Sequence, residues 1–139
     1  MKILITGGGG FLGSRLARTL LARGQLGGKP ISAITLLDGA FPSGLKELDN
    51  GKVSAVTGDV SDAETIADAC SPGTDAVFHL AAVVSGAAEA DFDLGMRVNL
   101  KGMELLLEQM RRVAAAGGRP PRLVYTSSVA AFGGDLPAV

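Results

Sequence analysis

Short apolar runs alternate with longer amphipathic segments along the chain. The first apolar run, Lys2 to Thr6, ends at four consecutive glycines. From Leu12 onward, apolar residues recur every four positions through Leu16 and Leu20, which is the spacing of a helix with one buried face. Gly24 is placed to end that helix. The pattern predicts a strand, a tight turn and a helix in succession.

Four further apolar runs predict the remaining strands. They cover residues 32 to 37, 53 to 57, 76 to 80 and 123 to 126. Strands that alternate with helices pair in parallel through right-handed crossovers and are covered by helices on both faces. We therefore predict an α/β fold with three α/β/α layers and a doubly wound parallel sheet of five strands, in the order 3-2-1-4-5.

Two more helices and one loop are predicted between the later strands. Ser61 and Glu64 form a capping-box pattern, and the residues predicted to share the buried face behind it are Ala63, Ile66, Ala67 and Cys70. Residues 39 to 51 are predicted to form a surface loop, with room for one helical turn at residues 45 to 48.

The last predicted helix is long, from Glu89 to Ala115, and Gly102 interrupts it. A glycine inside a helix costs about 1 kcal/mol relative to alanine, so close packing against a neighbour or a ligand is expected at this position. The residues predicted to face inward are Val98, Leu106, Met110 and Val113.

The glycine run carries two overlapping motifs. Gly7, Gly10 and Gly13 form Gly-x-x-Gly-x-x-Gly, and Gly8 with the last two forms Gly-x-Gly-x-x-Gly. Residues without side chains allow a sharp turn and a close approach to a pyrophosphate, whose charge then meets the N–H groups at the start of the helix. Because the motif lies between a predicted strand and a predicted helix, it indicates a Rossmann-type dinucleotide site. The alternative is a tight turn that holds no ligand.

Two carboxylates follow predicted strands. Asp38 lies 25 residues after Gly13, near the offset of about 20 at which a carboxylate takes ribose hydroxyls. Its charge would repel a 2′-phosphate, and Gly39 and Ala40 supply no compensating arginine, so NAD is favoured over NADP. Asp59 and Val60 could offer a carboxylate and an N–H group to an adenine edge. The alternative for Asp38 is a solvated turn aspartate, and Asp59-Val60 could equally be ordinary turn and cap residues.

Composition narrows the function classes. The 139 residues, 47% of them hydrophobic, fit one compact domain, and no run reaches the roughly 18 apolar residues of a membrane span. A net charge of -1 without blocks of like charge provides no footprint for nucleic acid or an anionic membrane. A single cysteine and a single histidine, Cys70 and His79, exclude an internal disulfide and a multi-cysteine or zinc centre. The start of the chain has no secretory pattern, which predicts a cytoplasmic protein.

Taken together, the motifs resemble the extended short-chain dehydrogenase/reductase family, which contains sugar-nucleotide epimerases and dehydratases. The resemblance covers essentially the whole chain. The five stretches that carry it, in order, are Thr6 to Gly13, Asp38, Asp59-Val60, His79-Leu80-Ala81-Ala82, and Val124 to Ser128 leading to Phe132-Gly133.

The resemblance implies NAD as cofactor and assigns roles to individual residues. The residues that it places at the cofactor are Gly7, Gly10, Phe11, Leu12, Gly13, Asp38, Asp59, Val60, Leu80, Ala81, Ala82 and Asn99. Leu80 to Ala82 would line the nicotinamide side, and Asn99 would steady the active site. Ser128 is the implied catalytic hydroxyl and substrate contact, chosen over Ser127 because it lies five residues before Gly133. Without the family, a serine-rich turn at the strand end would be the better explanation of Ser128.

Within the family, residues 79 to 95 and 132 to 137 resemble the branch that oxidises the 2-hydroxyl of D-erythronate, a four-carbon sugar acid, with NAD. Ser85 is then a candidate substrate contact, although it could be a loop serine. His79 is expected to pack or bond to backbone. The alternatives are a nucleoside-diphosphate-sugar epimerase or dehydratase, and a non-catalytic NAD-binding module.

One departure from the family concerns its catalytic Tyr-x-x-x-Lys pair. The only tyrosine is Tyr125, inside the fifth predicted strand, and Val129 stands four residues later. The pattern also stops before a sixth strand and a substrate-binding lobe. We therefore expect residues 1 to 139 to be an incomplete NAD-binding domain of a longer enzyme, inactive alone, with a small sugar acid as substrate. The family also implies pairing of two copies through the long helices.

Overall fold

The computed structural model describes residues 1–42, 51–116 and 119–128. Five strands form one sheet in which every neighbouring pair is parallel. In chain order they are β1 (Lys2–Thr6), β2 (Ala33–Asp38), β3 (Val53–Thr57), β4 (Thr74–His79) and β5 (Arg122–Tyr125). Their order in the sheet is β3-β2-β1-β4-β5, which confirms the predicted order and the Rossmann-type fold.

Helices cover both faces of this sheet, as predicted. In chain order they are α1 (Phe11–Arg23), α2 (Ala63–Ala69), α3 (Ser85–Ala90), α4 (Phe92–Gly95), a π-helix (Met96–Lys101) and α5 (Gly102–Ala115). Alternate residues of a strand point to opposite faces, so Ile3 and Ile5 pack with α1 while Leu4 packs with α2 and α5. The core is therefore two apolar layers divided by the sheet. None of the helices in the described ranges is long and apolar enough to cross a membrane.

The end of α1 confirms one prediction and adds a hairpin that the sequence did not predict. Gly24 follows α1 with φ 65° and donates its N–H group to the carbonyls of Leu20 and Leu21. A two-stranded antiparallel hairpin comes next, pairing Gln25–Leu26 with Lys29–Pro30. Its strands are only two residues long, too short to produce a recognisable alternation of apolar and polar residues.

The predicted cap of α2 is wrong by one residue. Asp62, not Ser61, precedes the helix and accepts the N–H group of Thr65 at 2.8 Å. Ser61 instead turns back to Asp59, so the capping box with Glu64 does not form. The buried face is shifted as well: Ile66, Ala69 and Cys70 are buried, whereas Ala63 and Ala67 are exposed.

The predicted helix from Glu89 to Ala115 is also wrong as a single element. Asp91 interrupts it, capping α4 by accepting the N–H group of Leu94 at 2.9 Å, and the π-helix follows. Gly102 does pack closely, as expected: a Cβ there would lie 3.1 Å from Cγ2 of Val60. The inward face of α5 is confirmed at Leu106, Met110 and Val113, which are buried, while Val98 packs against the core and is partly buried. The predicted turn at 45 to 48 and the motif at Phe132-Gly133 lie outside the described residues.

Candidate cofactor-binding site

A cleft of about 780 Å³ runs across the carboxyl ends of the strands. This is the edge where doubly wound sheets bind their ligands. Of the twelve predicted cofactor residues, all but Asn99 line this cleft. Four further lining residues were not predicted from the sequence. The lining residues are Gly7, Gly10, Phe11, Leu12, Gly13, Asp38, Asp59, Val60, Leu80, Ala81 and Ala82 as predicted, with Gly39, Gly58, Val84 and Val98 in addition. Gly39 and Gly58 are chain neighbours of the two carboxylates, which is the signal that could have found them.

The glycine turn brings two strand ends into contact. Gly7 has φ 68°, a conformation that residues with side chains rarely adopt, and a Cβ there would lie 2.8 Å from the nitrogen of Ala81. At Gly13 a Cβ would overlap the carbonyl oxygen of Gly7. The turn after β1 is thus closed against the segment after β4, and against its own helix. Side chains at these two positions would collide with the protein backbone and force the turn open.

The start of α1 is built to receive an anion. Its N-cap residue, Gly10, has no side chain that could accept from the first N–H groups, and the first turn contains no acidic residue. The first N–H groups of a helix have no partner within it and carry the positive end of the helix dipole. Phe11 and Leu12, the first two residues, are 76% and 58% exposed. A pyrophosphate fits this end of the cleft.

Asp38 ends β2 and is held by backbone groups. Its Oδ2 accepts the N–H group of Gly9 at 2.9 Å, and its Oδ1 faces the N–H group of Ala40 at 3.5 Å. A carboxylate has four lone-pair sites, so both oxygens keep capacity to accept ribose hydroxyls. The bond to Gly9 couples the carboxylate directly to the glycine turn. The two predicted parts of the site therefore form one unit.

Asp59 is fixed at the end of the turn after β3. Its Oδ1 accepts the N–H and the hydroxyl of Ser61, at 2.8 and 2.7 Å. These bonds, with a smaller contribution from Arg97, hold the pKa of Asp59 below its usual value. Nε of Arg97 lies 3.9 Å from Oδ2. The carboxylate is therefore ionised at neutral pH and acts only as an acceptor.

The end of β4 is held by a buried polar contact. Oγ1 of Thr6 lies 2.7 Å from Nδ1 of His79 and accepts the N–H group of Ala81 at 3.3 Å. His79 is 2% exposed, and burial lowers its pKa. Its ring stacks on Tyr125 at 6.0 Å between centroids. The histidine packs inside the protein, as expected from the sequence.

The residues predicted for catalysis and substrate binding lie outside the lining of the cleft. Asn99 sits in the π-helix, where its Oδ1 accepts the N–H group of Val83 at 2.8 Å and its Nδ2 donates to the carbonyl of Val83 at 2.9 Å. Asn99 therefore steadies the segment that follows β4. Ser85 begins α3 and is exposed, and Ser128 follows β5, also exposed. Their roles stay predictions. The described residues contain no cluster of His, Cys, Asp or Glu that could hold a metal ion.

This arrangement defines a dinucleotide-binding domain of the doubly wound class. The glycine turn, the uncapped helix start and the carboxylate at the end of β2 are the features of that class, and all three line one cleft. The chain belongs to the NAD-dependent epimerase/dehydratase family, whose model matches residues 3–138. The cofactor of the family, NAD, is the one predicted from Asp38 and the glycine motif.

Individual relatives agree with this membership. The chain is 54% identical to a D-erythronate dehydrogenase from Cupriavidus necator, over all of this chain and 42% of the relative. It is similar to the solved nucleoside-diphosphate-sugar epimerase from Agrobacterium tumefaciens, with 42% identity, a TM-score of 0.81 and coverage of 99% of this chain and 40% of that one. It is also similar to a short-chain dehydrogenase/reductase superfamily protein from the same organism with bound NAD, with 32% identity, a TM-score of 0.71 and coverage of 96% and 34%. The chain thus spans well under half the length of these relatives.

Proposed function

We propose that this chain binds NAD in the cleft and forms the NAD-binding part of a cytoplasmic enzyme that oxidises the 2-hydroxyl of D-erythronate. The observation that carries the cofactor assignment is the gathering of eleven predicted cofactor residues along one cleft. The substrate assignment rests on 54% identity to a D-erythronate dehydrogenase. Residues 1–139 are then an incomplete Rossmann domain.

Each part of the cleft has its own task in this proposal. Backbone N–H groups of the turn from Gly7 to Gly13 hold the pyrophosphate, and Asp38 accepts hydroxyls of a ribose. Asp59 and the N–H group of Val60 meet the adenine edge. The backbone from Leu80 to Ala82 faces the other half of the cofactor. When bound, NAD supplies the acceptor for the hydride that leaves the substrate carbon.

Catalysis needs a proton acceptor in addition to this framework. Ser128 would orient the substrate hydroxyl, Asn99 would hold the segment after β4, and Ser85 would contact the sugar acid. The sequence contains no Tyr-x-x-x-Lys pair to remove the proton. General-base assistance contributes about 10² to 10⁴-fold to a rate, and positioning of the substrate contributes more. We therefore propose that the 139 residues alone do not turn over D-erythronate.

The test is an assay of NAD reduction with D-erythronate by two proteins. The first is the 139-residue chain, and the second is a chimera in which this chain replaces the matching part of the Cupriavidus necator relative. We expect turnover from the chimera only. In the chimera, Ser128→Ala should depress kcat far more than NAD affinity, while Ser127→Ala is the matched control. Robust turnover by the 139 residues would contradict the missing-base argument.

A second candidate function is a nucleoside-diphosphate-sugar epimerase or dehydratase. It is favoured by the similarity to the Agrobacterium tumefaciens epimerase, at 42% identity. A chimera with the matching remainder of that protein would then act on a sugar nucleotide and leave D-erythronate unchanged. A non-catalytic NAD-binding module is the third candidate, and it requires NAD binding without turnover in either chimera.

A further inference from the structure

We infer that His79 is a positioning residue for the half of the cofactor that lies beyond the pyrophosphate. The inference rests on the proposed function, because it assumes that the cleft holds NAD. It assigns His79 a task that acts through Thr6 and Ala81. Neither His79 nor Thr6 lines the cleft, whereas Ala81 does.

The two halves of a bound NAD would lie on opposite sides of β1. Asp38 and Asp59 stand at the ends of β2 and near β3, on one side of β1, and the glycine turn stands at β1 itself. A dinucleotide whose adenosine half is held by these carboxylates crosses β1 at its pyrophosphate. Its other half then lies over the end of β4, where Leu80 to Ala82 line the cleft.

The hydrogen bond between Thr6 and His79 has a direction that their surroundings determine. The Thr6 side chain is fully buried, and its oxygen already accepts the N–H group of Ala81. Within the described residues, the structure gives the Thr6 hydroxyl no acceptor other than Nδ1 of His79, at 2.7 Å. A buried hydroxyl proton without an acceptor is costly, so the hydroxyl donates to Nδ1 and the histidine is neutral.

This direction of donation determines how the Thr6 oxygen holds the backbone of Ala81. Because the Thr6 proton points at Nδ1, the lone pairs of the oxygen remain available to the N–H group of Ala81. Without an acceptor at residue 79, the hydroxyl is free to rotate and present its proton toward Ala81, which opposes that bond. His79 therefore fixes the backbone of Ala81 in the lining of the cleft through a single hydroxyl.

Two variants separate the acceptor from the ring. His79→Phe keeps an aromatic ring against Tyr125 but removes the acceptor. His79→Asn loses the ring but keeps an oxygen acceptor in the position of Nδ1. Tyr125→Leu is the matched control, because it removes the ring contact and leaves Thr6, His79 and Ala81 in place. Circular dichroism and thermal unfolding establish that each variant is folded.

The experiment compares NAD with ADP by titration calorimetry, since ADP ends at the pyrophosphate and lacks the whole far half of the cofactor. His79→Phe should weaken NAD binding about 3- to 10-fold, the range that one hydrogen bond implies, and change ADP binding less than about twofold. His79→Asn and Tyr125→Leu should keep the NAD affinity of the unaltered chain. Equal weakening for both ligands in His79→Phe, or none for either, would overturn the inference. Absence of binding of both ligands to the unaltered chain would instead contradict the proposed function.

A second readout needs no ligand. We expect the amide proton of Ala81 to exchange with solvent faster in His79→Phe than in the unaltered chain, and His79→Asn to restore its protection. Nitrogen chemical shifts of the imidazole should show Nδ1 unprotonated at neutral pH. Protection of Ala81 unchanged by His79→Phe, or a protonated Nδ1, would overturn the inference whether or not NAD binds.

Discussion

The two ends of the cleft are built in different ways. Over β2 and β3 the site consists of two carboxylate side chains, Asp38 and Asp59, each held by backbone or hydroxyl donors. Over β4 the lining is backbone and apolar side chains, from Leu80 to Ala82. Thr6 accepts the N–H group of Ala81, and Asn99 accepts that of the adjoining Val83.

This difference indicates that the two ends of the cleft have different roles in binding the cofactor. Carboxylates recognise hydroxyl and amino groups by accepting hydrogen bonds, so the first end can select one nucleotide over another. A backbone wall has little chemical selectivity, but it sets the position of whatever rests on it. We therefore expect changes at the first end to alter which cofactor binds, and changes at the second end to alter how firmly its far half is placed.

The largest effect is expected where the two ends meet, at the glycine turn. Gly13→Val places side-chain atoms against the carbonyl oxygen of Gly7 and opens the turn. Overpacking of this kind costs about 1 to 3 kcal/mol in the folded state. Because opening the turn moves the N–H groups proposed to hold the pyrophosphate, we expect a comparable loss of binding free energy, which lowers NAD affinity by up to about 100-fold. Titration calorimetry measures it. Gly86→Ala is the control, since a Cβ at Gly86 meets nothing within 4 Å. Similar affinities in both variants would place the cofactor elsewhere.

A smaller effect is expected at Asp38, and it sharpens the selectivity of the first end. Asp38→Asn removes the charge that repels a 2′-phosphate and keeps one oxygen that can accept the N–H group of Gly9. The preference for NAD over NADP should narrow by about tenfold, which is about 1.4 kcal/mol. The measurement is the ratio of the two dissociation constants. NADP binding as tightly as NAD to the unaltered chain would refute the assignment of Asp38.

At the second end, Asn99→Ala should loosen the segment after β4 without changing the cofactor preference. It removes both hydrogen bonds to Val83, and we expect a loss of about 1 kcal/mol in the free energy of unfolding, measured in urea. Lys101→Ala in the same π-helix is the control, because it removes only an exposed ion pair with Glu104. A change in the ratio of NAD to NADP affinity in Asn99→Ala would break the division between the two ends.

The smallest effect is a pH dependence of stability that arises from His79. Burial lowers the pKa of the folded histidine, so below pH 6.5 the unfolded chain binds more protons than the folded chain. The contribution of His79 to the free energy of unfolding should fall as the pH drops from about 6.5 toward the folded pKa. Above about pH 6.5 this contribution should be constant. His79 is the only histidine, and His79→Asn should flatten the curve over this window. A stability that rises on acidification would contradict this account.

The sheet and the first end of the cleft could be predicted because their signals are local in sequence. Strand, glycine turn and helix follow one another between Lys2 and Arg23, and Asp38 is the last residue of its strand. The parallel order then places the turn and the carboxylate at one edge. No contact between distant residues had to be known to find this end.

The lining of the second end, Leu80 to Ala82, was implied by the family resemblance, but the contacts that hold it could not be predicted because they join distant parts of the fold. Thr6 and His79 are 73 residues apart, and Asn99 contacts Val83 from a π-helix that the sequence pattern did not predict. Asp62 caps α2, and Ser61 donates instead to Asp59. In each case a nearby or distant partner decided between structures that the sequence pattern allowed equally.

The most direct test of the central claim is a titration of the 139-residue chain with NAD, followed by amide nuclear magnetic resonance. The account predicts that shifts concentrate at the turn from Gly7 to Gly13, at Asp38, at Asp59 and Val60, and at Leu80 to Ala82. ADP, which lacks the far ribose and the nicotinamide, should reproduce the shifts at the first three places and only weakly those at the last. Shifts confined to other surfaces, or shifts at Leu80 to Ala82 without any at Asp38 and Asp59, would contradict it.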